Sequence, residues 1–203
     1  YEDGKVEATV EKLDTMLALP ARFEVGPYNT EIHEMTEMAA VDFGQYAHSN
    51  QPVHHVLYLY PFAGAAHRAQ YWVRRVLDEL YSPDSFCGDE DNGEMASWYI
   101  FSALGFYPFC PGHPSYVLGS PLFKKATVHL PNGKELVVAA PDNSARNVYV
   151  QWLQMDGEAH SAAAIAHATL AQGGTLHFAM TDQPVDRPHA VGDMPFSLST
   201  ESL

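Results

Sequence analysis

Four carboxylates fall within six positions, Asp89, Glu90, Asp91 and Glu94, inside the run Gly88-Asp89-Glu90-Asp91-Asn92-Gly93-Glu94-Met95. The stretch that follows, Ala96-Ser97-Trp98-Tyr99-Ile100-Phe101-Ser102-Ala103-Leu104, is nearly all apolar and belongs inside any compact fold. The acids are therefore anchored beside a core, where water alone is a poor counterpart for them. Three readings fit such a cluster. Hard oxygen donors at alternating positions suit calcium; a carboxylate held by neighbours can activate water for hydrolysis; solvated acids can simply cap the helix that follows. An EF-hand is excluded, because counting from Asp89 puts Gly93 where a fifth-position oxygen ligand belongs and Ile100 where the bidentate Glu belongs.

Two further polar clusters precede helical patterns: His33-Glu34, and Ser49-Asn50-Gln51-Pro52-Val53-His54-His55. All three clusters are predicted at helix N-termini, where free N–H groups and the helix dipole favour anionic and polar ligand groups. Other conspicuous residues read as structural. Adjacent side chains on a helix diverge by about 100°, so His54 and His55 do not both reach one ion, and one of them is expected to pack. Tyr58, Tyr60 and Phe62 are expected in the core rather than as a sugar platform, and Arg74-Arg75 on a solvated face. Cys110, in Cys110-Pro111-Gly112, reads as a turn cysteine with no neighbouring base to make it a nucleophile.

The elements that must position these clusters differ between the two parts of the chain. Val6, Val10, Leu13 and Leu17 recur at helical spacing, and Pro20 stops that helix. Thr30, with Glu34 reaching back, is read as the cap of a second helix over 31–46, and Pro52 as the first residue of a third over 52–60. A fourth is predicted over 65–81 with Tyr71, Trp72, Val76 and Leu80 on its buried side, and a fifth after Gly93. Beyond Pro108 the texture becomes Pro- and Gly-dense with short β-rich runs at 126–130, 135–139, 147–155 and 175–180. Asn132-Gly133 marks a tight hairpin in which both residues are expected at positive φ. The segment after Thr181 is read as irregular and partly mobile.

Composition narrows the partners. The 203 residues are 46% hydrophobic, enough for a real core, and carry a formal charge of −14, which disfavours nucleic acid and anionic membrane. Neutral sugars and cations stay open as ligands. Cys87 and Cys110 show no zinc-type spacing and could pair or remain free. No apolar run reaches the length of a membrane span. Tyr1-Glu2-Asp3-Gly4-Lys5 lacks the regions of a signal peptide. The abrupt helical start reads as a piece of a longer protein whose export signal, if any, lies upstream, so secreted, periplasmic and cytoplasmic locations all stay open.

Taken together, the segments Glu31-Ile32-His33-Glu34-Met35, Ser49 to His55, Gly88 to Met95, Ala103-Leu104-Gly105-Phe106-Tyr107-Pro108 and Tyr116-Val117-Leu118-Gly119-Ser120-Pro121-Leu122-Phe123 resemble the C-terminal part of the calcium-dependent α-mannosidases of glycoside hydrolase family 92. The resemblance implies an α+β chain: the last helices of an (α/α)6 toroid over 1–108, a β-rich, sandwich-like segment over 109–181, and an irregular tail over 182–203. It implies an exo-acting, inverting enzyme that removes terminal α-1,2-linked mannose, with calcium touching the sugar and helping to distort it. By similarity the catalytic base falls on Asp89 or Asp91. His33 and Glu34 contact the sugar on the leaving-group side, and Asn50, Gln51 and Asp91 fall near the metal. Gln51 stands where many members carry Glu, which keeps an oxygen donor and removes a charge. The family's catalytic acid lies upstream of anything here, so the chain alone is expected to be inactive. It is expected to need its missing N-terminal part or to self-associate, with mannose-containing glycans as the substrate. A noncatalytic carbohydrate-binding or calcium-binding module is the competing expectation.

Overall fold

The computed structural model describes residues 5–186 and 191–198. The chain is mixed helix and sheet, as expected for an α+β protein. Helix α1, Lys5–Ala18, buries Leu13 and Leu17 as the periodicity predicts. Its last carbonyls lie so close to Gly44, at φ +62°, that a β-carbon there would collide with the Met16 and Leu17 carbonyls. Only glycine fits both that approach and that φ.

Helix α2, His33–Val41, is shorter than the expected 31–46. Thr30 does not cap it: Ile32 occupies the cap position without a side-chain hydrogen bond, and Asp42 ends the helix in the left-handed region at φ +54°. The expected third helix over 52–60 is two 3₁₀ pieces, Gln51–Val53 and Val56–Ala63. Helical spacing in so short a run does not separate α from 3₁₀. Tyr58 and Tyr60 are fully buried there, as expected of core residues.

Helix α3, Ala66–Glu79, buries Val76 as predicted, with Leu80 buried just past its end, but it leaves Tyr71 outside and takes polar residues inward. Tyr71 is 40% exposed and Trp72 half-buried, whereas Ala69, Gln70, Val73, Arg74, Val76 and Leu77 are buried. Arg74 is 4% exposed rather than solvated. Its guanidinium donates to the Pro121 carbonyl at 3.0 Å, Asn143 Oδ1 at 2.7 Å and the Ser144 carbonyl at 3.4 Å, while Gln70 Oε1 accepts from the Val150 amide at 3.0 Å. These two polar residues face inward because they join the helical part to the sheet, where the terminal guanidinium nitrogens of Arg74 and the Gln70 oxygen find partners, while Arg74 Nε is left without one. Arg75 stays at the surface, pairing with Glu79 one turn on at 2.7 Å. Helix α4, Glu94–Leu104, begins after Gly93 as predicted and buries Met95, Trp98, Ser102 and Ala103.

Two sheets follow. Strands β1 (Phe106–Tyr107), β2 (Ser115–Leu118) and β7 (Ala164–Ala166) form a three-stranded antiparallel sheet in the order β1-β2-β7. Strands β3 (Lys125–His129), β4 (Glu135–Ala139), β8 (Gly174–Thr181), β5 (Tyr149–Met155) and β6 (Glu158–His160) form a second sheet in that order, parallel only between β4 and β8. A short helix α5, His167–Leu170, lies between β7 and β8. The β3–β4 hairpin closes through Gly133 alone at positive φ, +78°, with the Gly133 amide on the Leu130 carbonyl at 3.0 Å. Asn132 is not left-handed as expected; the loop is the three-residue kind that needs only its glycine there. Asp156 and Gly157, at φ +50° and +88°, make the two-residue turn between β5 and β6.

The apolar residues gather in two clusters, one among the helices around Tyr58, Val73 and Trp98, the other under the sheets around Leu136, Phe178 and Leu176. Cys87 and Cys110 are free. Of the segment expected to be irregular and partly mobile, 187–190 and 199–203 lie outside the described residues; the rest contains one 3₁₀ turn, Val191–Asp193, and stacks Phe196 on His113 at 3.8 Å. No described helix is long and apolar enough to cross a membrane.

Candidate functional site

The acidic run is sorted by its backbone. Asp91, Asn92 and Gly93 are three successive left-handed residues, at φ +51°, +58° and +95°. A non-glycine residue held there costs on the order of 1 kcal/mol. The turn so formed swings the Glu90 carboxylate back onto the Gly93 and Ala96 amides, and Glu90 thereby caps α4 from a position upstream of the helix. Glu94, the first residue of α4, turns inward to His54 Nδ1 at 3.4 Å. The capping reading thus holds for Glu90, and Glu94 is held by an interior contact. Asp89 and Asp91 point to solvent, and neither carboxylate has a hydrogen-bond or ion-pair partner among the described residues.

The other two clusters converge on this loop. Gln51 Nε2 donates to the Asp89 carbonyl at 2.9 Å, fixing the base of the run and leaving the Gln51 carbonyl oxygen free of that bond. Gly88 packs so tightly that a β-carbon there would stand 2.5 Å from Ser49 Cβ and 3.0 Å from Glu37 Oε2. His33, the first residue of α2, has Nδ1 3.1 Å from Glu37 Oε1 and Nε2 3.5 Å from Glu34 Oε1. The hydrogen bond to Glu37 raises the His33 pKa above the ordinary imidazole value, and the charges of Glu34, Glu37 and Asp89 add to it. Asn50 flanks the 3₁₀ turn without capping it. His33, Glu34, Gln51 and the Asp89 backbone therefore share one surface, with Asn50 and Asp91 at its edges.

Beneath that surface lies a layer the sequence did not announce. His48 is fully buried; Tyr46 Oη lies 2.9 Å from its Nδ1 and Tyr81 Oη 2.8 Å from its Nε2. Tyr81 spends its only proton on the Met95 carbonyl at 3.2 Å, so it accepts from His48 Nε2–H, and Tyr46 donates to Nδ1. His54, 1% exposed, stacks on His48 at 4.6 Å and donates from Nε2 to the His48 carbonyl at 3.0 Å. Trp98 Nε1 donates to the His54 carbonyl at 3.0 Å. Burial drives the pKa of both imidazoles down, His48 well below the usual value. His54 is thus the packed member of its pair, and His55 is exposed.

Glu37 and His48 were not singled out from the sequence, and Ser49 and Gly88 appeared there only as the first residues of their motifs. Glu37 could have been, because it follows His33 by four positions, one helical turn. The others carry no local signal. As an arrangement, the surface offers two free carboxylates, a positively biased imidazole and amide oxygens, which suits activating water and holding hydroxyl-rich ligands.

Comparison with known proteins agrees with the motifs. The model of the glycosyl hydrolase family 92 catalytic domain matches residues 3–182. A solved family GH92 inverting mannosidase from Bacteroides thetaiotaomicron superposes with a TM-score of 0.79 at 45% identity, covering 96% of this chain and 27% of that one. A GH92 α-mannosidase from the same organism, solved in complex with mannoimidazole, gives 0.83 at 30% identity, covering 97% and 25%. An uncharacterized secreted glycosidase of Arthroderma benhamiae is 27% identical over 156 residues, 73% of this chain and 20% of that protein. The chain thus spans about a quarter of the solved relatives it matches. Matched by the catalytic-domain model over almost all of its length, it belongs to glycosyl hydrolase family 92.

Proposed function

We propose that this chain is the C-terminal part of an exo-acting, inverting α-mannosidase that releases terminal α-1,2-linked mannose from mannose-containing glycans, and that it supplies the water-activating side of the site. One observation carries the reading: in a run of four acids, Glu90 and Glu94 are engaged in the fold, while the Asp89 and Asp91 carboxylates have no partner among the described residues and Asp89 lies within electrostatic reach of His33 and is bonded through its carbonyl to Gln51. A binding module has no need of two free carboxylates so placed. Inversion requires a base on the face opposite the leaving group, about 6.5–9.5 Å from the acid. Asp89 or Asp91 takes the proton of the attacking water; the acid comes from the part of the enzyme preceding this chain. His33 and Glu34 hold the sugar on the leaving-group side.

Calcium fits the donor set. Asn50, Gln51 and Asp91 offer hard oxygens, and next to them the Ser49 hydroxyl is buried without a hydrogen-bond partner. The ion would neutralise carboxylate charge and grip sugar hydroxyls. In this reading the helices over 1–108 are the end of an (α/α)6 toroid and 109–181 a sandwich-like segment. Its support is the apolar surface left on α4 and before it, where Ile100 is 57% and Phe86 38% exposed. Such faces call for helices of the same enzyme, or for a second copy of the chain.

The experiment is mannose release from α-1,2-mannobiose with calcium present. The 203-residue chain alone is expected to be inactive and the protein with its N-terminal part active. Release by the chain alone, or a full-length protein that binds mannose without hydrolysing the disaccharide, refutes the proposal.

A further inference from the structure

Glu37 lies where two of the converging segments meet. Its Oε1 is 3.1 Å from His33 Nδ1. Its Oε2 is buried without a hydrogen-bond partner and lies against Gly88, immediately before Asp89. A β-carbon on residue 88 would press on that oxygen at 3.0 Å and on Ser49 Cα at 3.0 Å. One carboxylate therefore touches the imidazole on α2 and the backbone that carries the free aspartates. An oxygen buried with no partner is costly. A carboxylate serving only as a surface ion pair for His33 would turn both oxygens to water.

We infer that Glu37 is a positioning residue: it fixes the His33 ring by holding Nδ1–H, which leaves Nε2 toward Glu34, and it sets the distance between that ring and Asp89. A carboxylate on one imidazole nitrogen decides which nitrogen carries the outward proton and how the ring is turned. In the neutral ring Nε2 is then bare and accepts from a sugar hydroxyl; in the protonated ring, which the neighbouring carboxylates favour, it donates. The groups facing His33 are Glu34, Glu37 and Asp89, all carboxylates, so its charge and orientation depend on how they are arranged. Cys87 lies within electrostatic reach of Glu37; burial is the main cause that pushes its thiol up to about 11, which keeps it neutral.

The inference rests on the proposed role of His33 toward the leaving group, and two separate readouts test it in the full-length protein. In the first, Glu37→Gln lowers kcat/KM on α-1,2-mannobiose about tenfold more than on an aryl α-mannoside, which lacks the second sugar. His33→Ala shows the same bias, and the double variant is no worse than His33→Ala alone. Equal losses on both substrates, additive losses, or a raised calcium requirement in Glu37→Gln overturn the inference. In the second, NMR titration of the His33 ring shows a lower pKa in Glu37→Gln than in the parent, whether or not any mannoside is turned over. An unchanged titration overturns it on its own. If the parent hydrolyses neither substrate, the mannosidase reading fails while the titration still decides the role of Glu37.

Discussion

The outer and inner sides of the acidic loop use the same residue types in opposite ways. Outside, His33 is 58% exposed and its basicity is raised, first by its bond to Glu37. Inside, His48 and His54 stack in a tyrosine- and tryptophan-lined layer, and burial lowers theirs. Desolvation penalises the charged imidazole, whereas a carboxylate in water-accessible surroundings rewards it. Glu90 and Glu94 serve the interior, and Asp89 and Asp91 the surface. The outer layer is thus arranged for charge and the buried His48 for neutral, saturated hydrogen bonding, with Gly88 and Gln51 joining the two sides.

The largest expected effect separates the two sides. In the full-length protein, Asp89→Asn or Asp91→Asn lowers kcat by about 10²–10⁴ for whichever is the base, with unfolding free energy within about 0.5 kcal/mol of the parent. A loss of stability comparable to that of an interior variant would erase the distinction. His48→Ala should instead cost about 3 kcal/mol in a urea titration, since it opens a cavity and strands Tyr46 and Tyr81. A cost below about 1 kcal/mol would show that the inner layer does not need its imidazole.

The seam between the layers comes next. Gly88→Ala places a β-carbon 2.5 Å from Ser49 Cβ and is expected to cost about 1–3 kcal/mol by forced displacement. Because the displaced groups include Glu37, mannoside turnover should fall with it. Glu90→Gln, which weakens the α4 cap, should cost about 1 kcal/mol with turnover preserved.

The smallest effect is pH dependence. His48 in the folded protein has a pKa below its unfolded value near 6.5, so the unfolded state binds more protons on acidification. Its contribution is intact above about pH 6.5 and is lost as pH falls toward the folded value. His33 acts in the opposite sense: its raised pKa gives stability below about pH 6.5 that disappears as pH rises through the folded value. Being exposed, it contributes little. Thermal unfolding followed from pH 7 to 5 should therefore show declining stability from the interior; an increase would mean that the surface cluster dominates.

Legibility from the sequence followed the range of the interactions. α1 and α4 were readable because Leu13 and Leu17, or Gly93 followed by an apolar run, are local signals. The β3–β4 hairpin was readable from its turn, although Asn132 was assigned the wrong φ because a three-residue loop shares the Asn-Gly signature. The segment 51–63 was misread because helical spacing does not reveal the hydrogen-bond ladder. Arg74 was misread because its acceptors, Pro121, Asn143 and Ser144, lie about fifty to seventy residues away. Around the candidate site, the residue types of the acidic run, His33 and Gln51 were visible as motifs, whereas Glu37 and the packing of Ser49 against Gly88 emerged only through contacts between segments.

By itself the sequence determined that acids, amides and an imidazole precede helical segments, that the chain is acidic, and which family its motifs resemble, because composition and short-range pattern are properties of the chain. The tertiary structure alone decided which acids are free. Asp89 and Asp91 are parted from Glu90 and Glu94 by where a left-handed turn and the neighbouring His54 send them, and that depends on groups brought together from separate segments.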